Sequence, residues 1–157
     1  MGAPSLADHI AITNLTIAYT WAIDSHRWDD LDAVFLPDAT ADLASPATLQ
    51  GVGAIKARIA HALEPLDDSQ HIVSNHQIDV DGDEGTCRCY LQAQHVRRTA
   101  DGGPNFIIGG RYEDRVVRTA DGWRIAHRTL VSMWREGNPA VIHPAQPMSA
   151  PLVPPST

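Results

Sequence analysis

The sequence predicts an α+β domain of two layers, three helices that come first in the chain packed on one curved antiparallel sheet. Three observations predict it. Apolar side chains recur at helical spacing through residues 6–63, the period changes to two from His71 onward, and three tight-turn signals divide the second half. Those signals are Asp81-Gly82-Asp83-Glu84-Gly85, Ala100-Asp101-Gly102-Gly103-Pro104 and Ala120-Asp121-Gly122, the residue types that join antiparallel neighbours.

Residues 6–23 form the first helix, apolar on most of its circumference and so expected to be largely covered, with Ser5 as its cap and Asp8 in the acidic first turn. Leu31, Val34 and Phe35 give a short second helix over 28–35, stopped before Pro37. Ala39, Ala41 and Leu43 alternate in a short strand at 38–45. Ile55, Ile59 and Leu63 stand four apart in a third helix at 51–63, which Pro65 ends. The order is therefore αα-β-α-ββββ. In the strand 86–98 the odd residues Cys87, Cys89, Leu91, Ala93 and His95 form the covered face. In 105–118 that face holds Phe106, Ile108, Gly110, Tyr112 and Val116, and Gly109-Gly110 marks a bulge where the sheet bends. In 123–134 the covered set is Trp123, Ile125, His127, Val131 and Met133. A sheet curled around the long helix leaves a closed-ended pocket between the layers.

One domain, 1–138, accounts for this pattern. Residues 139–157 carry six of the 11 prolines and have no core of their own. A net charge of -7 with 12 scattered Lys and Arg offers no basic stripe for nucleic acid. Thr13, Asn14, Thr16 and Thr20 interrupt the N-terminal run, which has no preceding basic cluster, so neither a signal peptide nor a membrane helix is expected and the chain reads as cytoplasmic. Cys87 and Cys89, two apart on one strand face, read as reduced core thiols.

Chemistry concentrates where the first helix ends. Asp24 sits at the negative end of the helix dipole, so its ionised form needs a compensating donor or cation. His71, opening the sheet, is the candidate partner, and His95 on the covered face of the next strand is a second imidazole costly to bury unless paired or used. Trp21, Phe106, Tyr112 and Trp134 would frame a pocket suited to a ring or fused-ring compound.

Taken together, Asp24-Ser25-x-x-Trp28-Asp29-x-Leu31 after an apolar helix, Gln70-His71 opening a strand, His95 late in the next and Asp121-Gly122-Trp123-Arg124-Ile125 starting the last resemble the SnoaL-like dehydratase branch of the nuclear transport factor 2 superfamily. The resemblance spans roughly residues 7–134. Functional relatives in that branch include scytalone dehydratase, a bile acid 7α-dehydratase and a hexachlorocyclohexane dehydrochlorinase. It implies a cone-shaped sheet wrapped on helices, homo-oligomers (dimer or trimer) packed through the sheet's outer face, and no cofactor. It also implies that His71 is the general base, that Asp24 holds its tautomer, and that His95, Tyr19 and Arg128 complete the catalytic set. The Tyr that precedes the acid in scytalone dehydratase is Ile23 here, and that enzyme's downstream Ser and Asn fall near Gly110 and Tyr112, which departs from its substrate pocket.

Two of these residues sit awkwardly on ideal geometry. Tyr19 lies about 140° around a helix from Asp24. Strand parity puts His127 rather than Arg128 on the covered face, and only a bulge near Ala126 would turn Arg128 inward.

The reaction expected is that of a lyase: His71 removes a proton beside a carbonyl or leaving group, His95 or Tyr19 protonates the departing hydroxyl, and Arg128 stabilises developing charge. A polyketide cyclase or ketosteroid-type isomerase would use the same acid and base. A non-catalytic small-molecule-binding domain, or a metal site built from His71, His95 and Asp24, are the readings from other classes.

Overall fold

The computed structural model describes residues 2–143. The first helix runs Leu6–Asp24 (α1), and the Ser5 hydroxyl caps it by accepting the Asp8 backbone N–H at 3.1 Å. Ile12, Leu15, Tyr19, Ala22 and Ile23 are buried against the sheet, but Leu6, Ile10, Ile17 and Trp21 face outward. A helix lying on one sheet has only one side covered, which corrects the expectation of an all-round buried segment.

The expected second helix is shorter than its pattern. A 3₁₀ turn spans Trp28–Ala33, and strand β1 begins at Phe35 and continues to Asp42. Phe35 pairs with Ile125 and Thr40 with His127, so a register break accommodates Pro37, which has no N–H to give a ladder. A two-residue strand, β2 (Leu49–Gln50), pairs with β1, and α2 follows at Val52–Leu63. The four long strands are β3 (Asp68–Asp81), β4 (Glu84–Val96), β5 (Asn105–Thr119) and β6 (Gly122–Gly137).

These strands form one six-stranded sheet in the order β2-β1-β6-β5-β4-β3. All neighbours are antiparallel except β1 and β6, which run parallel, because β1 enters from the helical layer beside the start of β6. The sheet closes on α1 and α2 around a core that includes Ile12, Leu31, Phe35, Ile55, Val116 and Ile125. The odd residues of β4, from Cys87 to His95, are all buried, as alternation requires. Cys87 and Cys89 are free thiols held among apolar neighbours, and burial lifts the Cys89 thiol to about 11.

Two irregularities aim the site. Between β5 and β6 the register shifts at Gly109-Gly110, making Met133 the extra residue. It shifts again where Arg115 pairs with His127 but Val116 with Ile125, making Ala126 the extra residue. Downstream of Ala126 the parity of β6 is therefore reversed. Arg128 turns inward with 0% exposure, while His127 turns to the opposite side and meets the Thr40 hydroxyl at 2.6 Å; Met133 is exposed. The covered set expected for this strand is thus right only as far as Ile125.

Pro139–Val141 form a second 3₁₀ turn capped by Asn138, with Val141 buried. The first residues of the proline-rich segment therefore lie on the domain, and residues 144–157 fall outside those described. Among the described residues no helix is long and apolar enough to cross a membrane.

Candidate functional site

Between α1, α2 and the concave side of the sheet lies a cavity of about 580 Å³. Its walls are mostly apolar, with Ile23, Ile59, Phe106 and Leu130 among them, and its polar groups include Tyr19, Tyr112, His71 and His95. This is the composition of a small-molecule site, apolar surface with a few convergent polar atoms.

Asp24 does not line the cavity; it works from behind. Strand β3 crosses the tip of α1, and three donors converge on the carboxylate. Its Oδ1 accepts from His71 Nδ1 at 2.6 Å and from the Ser69 hydroxyl at 2.8 Å, and its Oδ2 accepts the His71 backbone N–H at 2.7 Å. Burial pushes the Asp24 carboxyl up, but these hydrogen bonds and the nearby imidazole outweigh it, and the net direction is down. A carboxylate at a helix C-terminus thus obtains the compensation it needs. The angular mismatch between Tyr19 and Asp24 also dissolves: Tyr19 and Ile23 face the cavity directly, and the His71 ring carries the influence of Asp24 into it.

Because Nδ1 of His71 faces a carboxylate, that nitrogen carries the hydrogen, and in the neutral ring Nε2 is the atom with the lone pair. His95 lies edge-on to it, ring centres 5.4 Å apart, with its own Nδ1 3.2 Å from the Phe106 carbonyl oxygen. A carbonyl only accepts, so His95 also presents a bare Nε2. Burial first, and the adjacent His71 second, lower its pKa to about 4. At neutral pH His95 is an acceptor, which corrects the expectation that it donates a proton.

The opposite wall is built on an ion pair. Arg128 Nε and Nη2 bond Asp114 Oδ1 and Oδ2 at 2.8 and 2.6 Å, and the guanidinium lies 4.2 Å from the ring centre of Tyr19 and 4.1 Å from that of Tyr112. Burial opposes the charge on Arg128, but Asp114 overrides it and drives the pKa up. Burial also raises both phenols, so Tyr19 and Tyr112 remain O–H donors. Arg128 is inward as the resemblance required, yet it does not line the cavity; its charge is spent on Asp114 and reaches the site only through the two tyrosine rings.

Of the four expected pocket aromatics, Phe106 and Tyr112 line the cavity and the two tryptophans do not. Trp21 is 65% exposed, since two residues from Tyr19 is about 200° around the helix. Trp134 lies on the convex side of the sheet, over Gly109, which has no side chain to displace the indole. Sequence reasoning missed Asp114 and Ser69. Asp114 could have been found by parity, because it falls between Tyr112 and Val116 on the covered face and an acid there needs a cation. Among the described residues no group of three or more His, Cys, Asp and Glu is arranged to hold a metal ion.

A helical layer under a six-stranded sheet, with an acid–imidazole pair directed into an apolar hollow, defines a class of small cone-shaped α+β domains. The family comparison is specific. Residues 4–129 match the SnoaL-like domain, and the chain belongs to that family. An uncharacterised protein of Mycobacterium bovis is 33% identical over 129 residues, covering 82% of this chain and 87% of its own. Among solved structures, a Novosphingobium aromaticivorans protein provisionally named a scytalone dehydratase has a TM-score of 0.76 at 26% identity, covering 85% of this chain and 89% of its own. A hexachlorocyclohexane dehydrochlorinase has a TM-score of 0.75 at 16% identity, with 85% and 90% covered, and so shares the fold.

Proposed function

We propose that the protein is a cofactor-independent lyase of the dehydratase type, acting on a small cyclic or polyketide-like hydroxy-carbonyl compound. The observation that carries this is the Asp24–His71 pair, which directs His71 Nε2 into an apolar cavity as a base oriented by a carboxylate. His71 takes the proton from the carbon next to the substrate carbonyl. Tyr19, held protonated by burial, donates a hydrogen bond to the carbonyl oxygen as charge develops there. The C–H electrons form the new double bond, the C–O bond breaks, and the His71 imidazolium returns its proton to the departing hydroxyl as water. His95 accepts the hydrogen bond of that hydroxyl and orients it. Arg128 steadies Tyr19 and Tyr112 from behind.

The names of two structural neighbours, a dehydratase and a dehydrochlorinase, support elimination chemistry. The same two imidazoles also suit an isomerase or cyclase reaction if the His71 proton returns to carbon, and product mass distinguishes these, because only dehydration loses water. We further place the protein in the cytoplasm, as two reduced thiols suggest, and as a homo-oligomer through the convex sheet face, where Ile72, Tyr90, Met133 and Trp134 are exposed.

The test is turnover on a panel of cyclic β-hydroxy carbonyl compounds followed by mass spectrometry. His71→Ala is expected to lower kcat by about 10²–10⁴, the usual worth of a positioned base. Unchanged turnover in that variant overturns the assignment, and a fully folded protein that turns over none of the panel favours a binding domain.

A further inference from the structure

The two arginines on the cavity wall stand apart from most of the chain's other cations. Arg58 on α2 is half-buried and lines the cavity with Ile59 and Ala62, and Arg135 on β6 lines it from the sheet side. Elsewhere Lys56 is held by Asp29 and Asp32, Arg98 by Asp67 and Asp68, Arg118 by Asp8 and Asp83, and Arg128 by Asp114. Among the described residues neither Arg58 nor Arg135 has a carboxylate within ion-pair distance; the single bond given to Arg135 comes from its Nε to the Ser132 hydroxyl at 3.0 Å. Arg88, Arg97, Arg115 and Arg124 also lack a carboxylate partner among the described residues, so what distinguishes Arg58 and Arg135 is their place on the wall of an apolar hollow. Half-buried Arg58 carries a desolvation cost that an anionic partner would offset, and Arg135 adds a second, exposed donor on the same wall.

Both arginines line the same cavity, and Arg135 belongs to its exposed end. Tyr19, Tyr112 and His95 are deeply buried, whereas Arg135, Glu136 and His143 are exposed, so the latter mark the opening. We propose that the mouth of the cavity is a subsite for a single carboxylate on the substrate, held by Arg58 and Arg135 while the ring reaches toward His71. One negative charge fits better than a phosphate, because Glu136 stands at the same rim and leaves a formal surplus of one positive charge. The substrate class is thereby narrowed to a cyclic compound bearing a carboxylate remote from its reacting carbon. This rests on the cavity being the substrate site.

The experiment uses a matched pair of probes, 2-naphthoate and its neutral amide 2-naphthamide, titrated calorimetrically into the intact protein at low salt. The naphthoate is expected to bind about five- to tenfold tighter, the worth of one charge-assisted hydrogen bond. Arg58→Gln removes that preference and leaves the amide within about twofold, Arg135→Gln reduces it, and Glu136→Gln increases it. Equal binding of the two probes, a preference that survives Arg58→Gln, or no naphthoate binding at millimolar concentration overturns the subsite. His71→Ala is expected to keep the preference, so a failure of the lyase chemistry with the preference intact is told apart from a failure of the anion site.

Discussion

Arg128 and Asp114 meet fork to fork in the interior, two hydrogen bonds of 2.8 and 2.6 Å between side chains that are both 0% exposed. Breaking such a pair from one side leaves an uncompensated buried charge, which costs far more than the pair itself contributes. Asp114→Ala is expected to destabilise the protein by about 3–5 kcal/mol in urea titration. A loss below about 1 kcal/mol would mean that water reaches the guanidinium and that the packing against Tyr19 and Tyr112 does not exclude it.

Asp24 accepts hydrogen bonds on both oxygens, so an amide cannot replace it. In Asp24→Asn one of the two atoms becomes an NH₂ group facing either the His71 backbone N–H or the Nδ1–H and Ser69 pair, donor against donor. We expect kcat to fall by about 10²–10⁴, since the tautomer of the base is no longer held, and stability to fall by about 1–3 kcal/mol. Asp24→Asn with wild-type kcat would show that His71 needs no orienting partner.

The pH dependence of stability follows from His95. Its folded pKa, about 4, lies below the ordinary 6.5, so between those values the unfolded chain binds more protons than the folded one. The stability held by neutral His95 is present above pH 6.5 and is lost as pH falls toward 4, by roughly 3 kcal/mol in all. His76, lowered chiefly by burial, acts in the same direction. Urea midpoints at a series of pH values should fall across this window in the wild type and fall less in His95→Gln. Equal slopes in the two proteins would assign the acid sensitivity elsewhere.

Gly110 faces the cavity layer at the β5–β6 bulge, where a methyl group would collide with the Val131 carbonyl oxygen. The obstacle is backbone within a ladder, so relief requires shifting β6. Gly110→Ala should cost about 1–3 kcal/mol, read from the thermal midpoint. A neutral substitution would show that the bulge can slide.

Much of the fold was legible because its signals are local. Helical spacing in α2, alternation along β4 and β5 and the glycine-rich turns report which side of each element is covered, and the structure agrees except where an irregularity intervenes, whereas α1, apolar on most of its circumference, did not show which side would stay open. The second helix failed at Phe35 because pairing with β6 outweighs a one-turn helical pattern. Among site residues, Asp24, His71, His95 and Tyr112 could be proposed from position and type, but Trp21 and Trp134 could not be rejected, since an aromatic residue looks the same in sequence whether it faces a cavity or solvent.

The sequence by itself determined most of the order of elements, the covered faces of α2, β4 and β5 and the presence of an acid at a helix tip that required a partner. Only the tertiary structure decided who that partner is and what the pair faces. Asp24 and His71 are 47 residues apart, and their meeting depends on β3 crossing the end of α1. The inward turn of Arg128 depends likewise on one extra residue, Ala126, reversing the parity of β6. Periodicity is a short-range property of the chain, whereas a strand crossing and a bulge are settled by the packing of whole layers, and the chemistry of this site is built on those two.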